Sequence, residues 1–98
     1  MTHILKVSAD AIADLHEIAA FIRRDNPARA DSFTAELRAH ARAVASHPLG
    51  YRTRAEFGMD IRVAGYRGYL LFYRVIDMEM RLLRVMHAAR DLGDLTFD

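Results

Sequence analysis

The chain is 98 residues long and 52% apolar, enough for one compact domain with one core and too short for two ordinary domains. Its formal net charge of +1 argues against a general polyanion binder, and with no cysteine it has no disulfide, thiolate metal site or cysteine nucleophile. The first ten residues lack an apolar core followed by a small-residue cleavage site, and no apolar run approaches membrane-spanning length, so a cytoplasmic, non-membrane protein is expected.

Taken in order, Ile4-Leu5-Lys6-Val7 is a short apolar run suited to an edge strand. Ser8 stands where a helix N-cap is expected, with Asp10 in the first turn to favour the helix dipole. From Ala9 to about Asp25, Ile12, Leu15, Ile18, Ala19 and Ile22 recur at helical spacing, leaving Asp14, Glu17 and Arg24 for the solvent face. Asn26-Pro27 ends this helix and caps the next. Ala30, Phe33, Leu37, Ala41 and Val44 mark that second amphipathic helix as far as His47-Pro48, and so short a connection makes the pair an antiparallel hairpin. His47-Pro48-Leu49-Gly50 is a stop, and the polar residues 51–60 read as a loop or a weak strand.

From Ile61 to Asp91, apolar residues alternate with arginines and turn at Asp77-Met78-Glu79, which predicts a three-stranded antiparallel meander. Strict alternation puts Leu71, Tyr73 and Val75 on one face of its central strand and Leu70, Phe72, Arg74 and Ile76 on the other. In the last strand it sets Leu82, Arg84 and Met86 against Arg81, Leu83, Val85 and His87. Both faces are largely apolar, yet two helices cover only one. The other is expected either to stay open for a partner or a second copy of the chain, or to be covered by the tail from Ala88 to Asp98.

Beyond Gly50 the chain has no lysine, and its arginines suit bidentate contacts with carboxylates or phosphates. The alternative is that they line a solvated sheet face. His3, His16 and His40 fall on expected surface positions without motif partners, and no helix-borne histidine pair, serine elbow, phosphate loop or dinucleotide fingerprint occurs. No metal site or cofactor is expected. His87 gathers with Arg84, Arg90 and Asp91 at the end of the last strand. There it is either a general acid or base beside phosphate-holding arginines, or a residue bonded within the fold with Arg90 paired to Asp91 or Asp94.

Ser8-Ala9 with Asp14-Leu15 and Ile18, Asn26-Pro27 with Ala30 and Phe33, Pro48 and Gly50, and Arg62 form an ordered series. It continues through Phe72-Tyr73-Arg74-Val75 and Leu83-Arg84-Val85-Met86-His87-Ala88-Ala89-Arg90-Asp91. Together these resemble the RelE/ParE superfamily of type II toxin-antitoxin toxins, and most of all ParE, the plasmid-stabilisation group. The resemblance implies one α+β domain over residues 1–98, ordered β-α-α-β-β-β, with a helical hairpin on an antiparallel sheet.

Two activities follow from the resemblance. RelE-like toxins cut messenger RNA on the ribosome, which would assign catalysis to Arg62, Arg84, His87 and Arg90. Here, however, Leu70 occupies the position of a RelE arginine, Phe97 is the only aromatic after the last strand, and the paired lysines before the meander reduce to Arg62 beside Asp60. Losing a phosphate-charge stabiliser costs orders of magnitude in rate, so the set fits cleavage poorly. ParE-like toxins inhibit DNA gyrase by contact, with no catalytic residues and no sequence-specific nucleic-acid binding. The implied partners are gyrase and a ParD-like antitoxin that wraps the toxin with an amphipathic, acidic segment, as a toxin-antitoxin hetero-oligomer; a homodimer is the other assembly expected. An attenuated toxin would retain only the antitoxin contact. Candidate contact residues are Arg62, Arg74, Arg84, His87, Arg90 and Phe97.

Overall fold

The computed structural model describes residues 2–90 and 92–97. Asp91, expected as one partner of Arg90, lies outside them. The elements are β1 (Ile4–Val7), α1 (Ala9–Arg23), α2 (Pro27–Ala45), two single-turn 3-10 helices (Pro48–Gly50 and Ala55–Phe57), β2 (Arg62–Tyr66), β3 (Tyr69–Ile76) and β4 (Glu79–His87). The sheet order is β1-β4-β3-β2, with β1 parallel to β4 and the meander antiparallel, so the expected α+β order is observed on a mixed sheet and not a wholly antiparallel one. Residues 51–60, which include the second 3-10 turn, contribute one isolated bridge, Thr53 to Arg62.

Local chemistry sets the element ends. Ser8 Oγ accepts from the Ala11 N–H at 3.0 Å, and Asn26 Oδ1 accepts from the Arg29 N–H at 3.1 Å, each closing an otherwise unpaired first turn. The β2–β3 turn places Arg67 and Gly68 at φ 47° and 85°, the left-handed pair that a two-residue hairpin requires.

Period-2 reading fails in one strand. β3 and β4 slip register between Phe72 and Tyr73, so that Phe72 faces Arg84 while Tyr73 faces Leu82 and Leu83 is extra. The bulge reverses the phase: Met80, Leu82 and Val85 all join the core beneath the helices, whereas Leu83 and Met86 turn to the opposite side. The backbone groups freed there are met from the start of α1. Ser8 N–H donates to the Leu82 carbonyl at 3.0 Å, Ser8 Oγ to the Leu83 carbonyl at 2.9 Å, and Val85 N–H to Asp14 Oδ2 at 2.9 Å.

Asp14 therefore points inward, not to solvent as helical periodicity placed it, and its side chain is 8% exposed. α1 rotates accordingly: Ala11, Asp14, Leu15 and Ile18 are buried, while Ile12 is 41% exposed.

The far face of the sheet is covered. Phe57, Ile61, Phe72 and Met86 form a second apolar cluster there, closed by Leu92, Leu95 and Phe97 of the C-terminal segment. Phe97 N–H donates to the Phe57 carbonyl at 2.7 Å and its ring lies 5.6 Å from Phe72. Of the two expectations for this face, the covering tail is the one observed.

Tyr73, fully buried at the centre of the main core, donates its hydroxyl to the Pro48 carbonyl at 2.6 Å. Burial pushes its pKa from 10.0 up to about 12. The neutral phenol is favoured in the fold, so this contribution is complete below pH 10 and disappears as pH rises from 10 to about 12. Urea unfolding should show a loss of about 2 to 3 kcal/mol across that interval. Tyr73→Phe should start less stable for want of the hydrogen bond and show a shallower alkaline fall.

Candidate functional site

A groove of about 430 Å³ runs between the second half of α1 and the end of β4. Glu17, Ile18 and Phe21 form its helical wall, and Tyr69, Met86, His87 and Arg90 its sheet wall. Phe21 stands at the rim with 65% of its surface exposed. An aromatic of that size left in water is an anchor available to a partner.

His87 is held at the mouth. Its Nδ1 accepts from the Ala89 N–H at 3.1 Å, and its ring meets Tyr69 edge-on at 5.0 Å. With Nδ1 accepting, the neutral ring carries its proton on Nε2. Burial raises the Tyr69 pKa, keeping that phenol neutral. Arg84 is held by Asp14, which lines the groove, with its Nε 2.7 Å from Asp14 Oδ2 and its Nη2 2.9 Å from Asp14 Oδ1. The carboxylate hydrogen bonds raise the pKa of the guanidinium further.

The structure thus gathers His87 and Arg90 at the groove, ties Arg84 to Asp14 of its lining, and places the other expected residues elsewhere. Arg62 donates to the Tyr51 carbonyl and tethers the loop after α2. Arg74 reaches the Met59 carbonyl through Nε at 3.3 Å and Nη2 at 3.1 Å, and the Phe97 carbonyl through Nη2 at 3.4 Å. Phe97 itself packs into the far-face cluster. Arg62 pairs with Tyr73 and His87 with Tyr69, so the two are separated by four residues along β3, roughly 13 Å, and lie on strands flanking it. Arg62 therefore stands apart from His87.

Phe21 and Tyr69 were not singled out from the sequence. The available signal was Phe21, an aromatic between Ile18 and Ile22 but off their stripe. A second polar cluster joins α2 to β2. There Arg29, Tyr66 and Arg67 surround Glu36, with the Tyr66 hydroxyl 2.7 Å from Oε1. The hydrogen bonds from Arg29 and then Tyr66 lower the Glu36 pKa. His40, expected in solvent, instead lays its ring 4.9 Å from that of Tyr66, with Nε2 buried and unpartnered among the described residues.

Among the described residues no helix is long and apolar enough to cross a membrane. The sequence model for the ParE toxin of the parDE type II toxin-antitoxin system matches residues 5–92. No curated protein matches the chain. Among solved structures, the fold is similar to a chain of the chromosomal ParDE toxin-antitoxin system of P. aeruginosa, at TM-score 0.78 and 18% identity over 88% of this chain and 96% of that one. It is also similar to a chain of the RelBE2 toxin-antitoxin complex of Mycobacterium tuberculosis, at TM-score 0.67 and 24% identity over 89% of this chain and 99% of that one. An arginine-to-alanine double mutant of E. coli toxin RelE in the free state matches at TM-score 0.64 and 18% identity, over 91% of this chain and 86% of that one. With the family match spanning nearly the whole sequence, the chain belongs to the ParE toxin family of type II toxin-antitoxin systems.

Proposed function

We propose that this toxin works in the cytoplasm by protein contact, inhibiting DNA gyrase through the groove between α1 and β4, and that a cognate antitoxin neutralises it. The commitment of Arg84 to buried Asp14 carries the reading against phosphate chemistry. That bidentate bond commits the Nε/Nη2 edge of the guanidinium and offsets its charge with a buried carboxylate, so only the Nη1/Nη2 edge of an already paired cation remains for a scissile phosphate. What the groove offers is an apolar trough with an exposed phenylalanine, flanked by the Nε2 donor of His87 and the guanidinium of Arg90. Central aromatics beside arginine are the usual energetic anchors of protein interfaces.

The test is inhibition of gyrase supercoiling by the purified chain and by Phe21→Asp. The substitution is expected to weaken inhibition about tenfold or more, because it removes the anchor and places a charge in the trough. Thermal unfolding should be nearly unchanged, since Phe21 is 65% exposed. Full inhibition by Phe21→Asp would remove this groove from the contact.

A further inference from the structure

Strand register sets three cations in one line across the sheet. Lys6 of β1 lies opposite Arg81 of β4, and Arg81 lies opposite Arg74 of β3. Their chain neighbours Leu5, Met80 and Val75 pack into the main core, so the line runs over the face turned away from the helices. Residues paired in this way stand about 5 Å apart, and like charges so placed repel. A sheet gains no stability from such a rung, and a local rule broken in this way points to a role in function.

Little of this charge is met within the fold. Lys6 has no acidic partner among the described residues. Arg74 donates to the carbonyls of Met59 and Phe97, which are neutral and leave its charge in place. Arg81 Nε meets Glu79 Oε1 at 3.0 Å, but these side chains are 49% and 33% exposed and water screens the pair. The C-terminal segment that covers the far face reaches Arg74 through the Phe97 carbonyl, while Lys6 and Arg81 stay exposed. The next rung toward the β3–β4 turn is Ile4, Glu79 and Ile76. Ile4 there is 58% exposed, and Met78 in the turn is 43% exposed. An aliphatic ledge therefore borders the cationic line.

We infer that this rung binds a run of phosphates carried by a nucleotide, either free as a nucleoside triphosphate or linked in a nucleic acid. Consecutive phosphates cross the three cations, taking guanidinium N–H donors from Arg74 and Arg81 and a point charge from Lys6. The sugar and base lie over the ledge of Ile4 and Met78. A lone carboxylate would answer one cation and leave the others unmet. A second copy of the chain would set the same cations against these and be repelled. With a net charge of +1 the chain has no broad attraction for polyanions, so binding is local and weakens steeply with salt. The rung shares no residue with the α1–β4 groove. The inference goes beyond the gyrase reading and stands independently of it.

Nuclear magnetic resonance titration of the isotope-labelled full chain tests this. The phosphate probes are sodium tripolyphosphate, a nucleoside triphosphate and a short DNA duplex, and the carboxylate controls are citrate and a glutamate oligomer. Lys6 is the chain's one lysine, so its ammonium signal is unambiguous. Tripolyphosphate at millimolar concentration is expected to shift the Lys6 ammonium and the Arg74 and Arg81 guanidinium signals together, and to raise the thermal midpoint. Combining Lys6→Gln with Arg81→Gln should weaken that binding about tenfold or more and remove the rise. Both side chains are exposed, so the spectrum of the free variant should keep its dispersion. Tighter binding of the nucleoside triphosphate than of the duplex would support the free nucleotide as the source, and the reverse order the nucleic acid. No response along the rung at millimolar tripolyphosphate, equal binding of the carboxylate controls, or undiminished binding by the double variant would overturn the proposal. Shifts confined to Arg38 and Arg42, exposed arginines of α2, would overturn it too. No gyrase enters this experiment, so its outcome is separate from the supercoiling assay.

Discussion

Replacing Asp14 by alanine is expected to cost about 3 kcal/mol in urea unfolding. The carboxylate accepts three hydrogen bonds, two from Arg84 and one from the Val85 N–H at the bulge, while only 8% exposed. Its removal strands a cation and an unpaired backbone donor together. Breaking a buried pair costs about 3 to 5 kcal/mol, and the lower end applies because the Arg84 side chain is 28% exposed and water screens part of the loss. Adding Arg84→Met to Asp14→Ala should restore about 1 to 2 kcal/mol, since the isolated charge is then gone. A double variant as unstable as Asp14→Ala alone would assign the cost to the Val85 N–H and the cavity.

Gly58→Ala should have an effect of similar size, about 2 to 4 kcal/mol, from strained backbone and loss of apolar burial. Gly58 has φ 129°, a conformation that L side chains rarely adopt, and an added Cβ would lie 2.1 Å from the Phe97 carbonyl oxygen. Since the atoms it meets are backbone atoms of Phe97, the C-terminal segment must move. It would then withdraw Phe97 from Phe72 and Leu95 from the far-face cluster. Limited proteolysis should cut after residue 90 much faster in the variant, beside the unfolding measurement. In a chain shortened to end before Leu92 the same substitution should cost about 1 to 2 kcal/mol less, because only the dihedral strain remains. Equal costs in both chains would mean that contact with the tail contributes nothing.

The helical hairpin and meander were legible because their signals are local. Ser8 and Asn26-Pro27 announce helix starts within a turn, and the Tyr69–Ile76 run reads as a strand unaided. What escaped depends on distant residues. Asp14 sits among solvent-type positions until its partner arrives 70 residues later. The bulge at Leu83 breaks an alternation that pattern reading assumes continuous, and so Val85 was set on the wrong face. Leu92, Leu95 and Phe97 follow neither helical nor strand period, so nothing in their spacing chose between a free tail and a covering one. At the site, position in the last strand marked His87 and Arg90. Arg62 and Arg74 donate to main-chain carbonyls of Tyr51, Met59 and Phe97, acceptors that every residue owns and that no side-chain pattern reveals. Phe21 escaped because one aromatic off a helical stripe reads equally as rim or core.

The most direct measurement is a paired assay on the purified chain, with gyrase supercoiling in one arm and cleavage of message on translating ribosomes in the other. Inhibited supercoiling with intact message is expected, since Arg62 and Arg84, two of the arginines needed for phosphate chemistry, are bonded within the fold. Cut message with normal supercoiling would contradict contact-based inhibition and make His87 and Arg90, freed of the arrangement around Asp14, the place to look for catalysis.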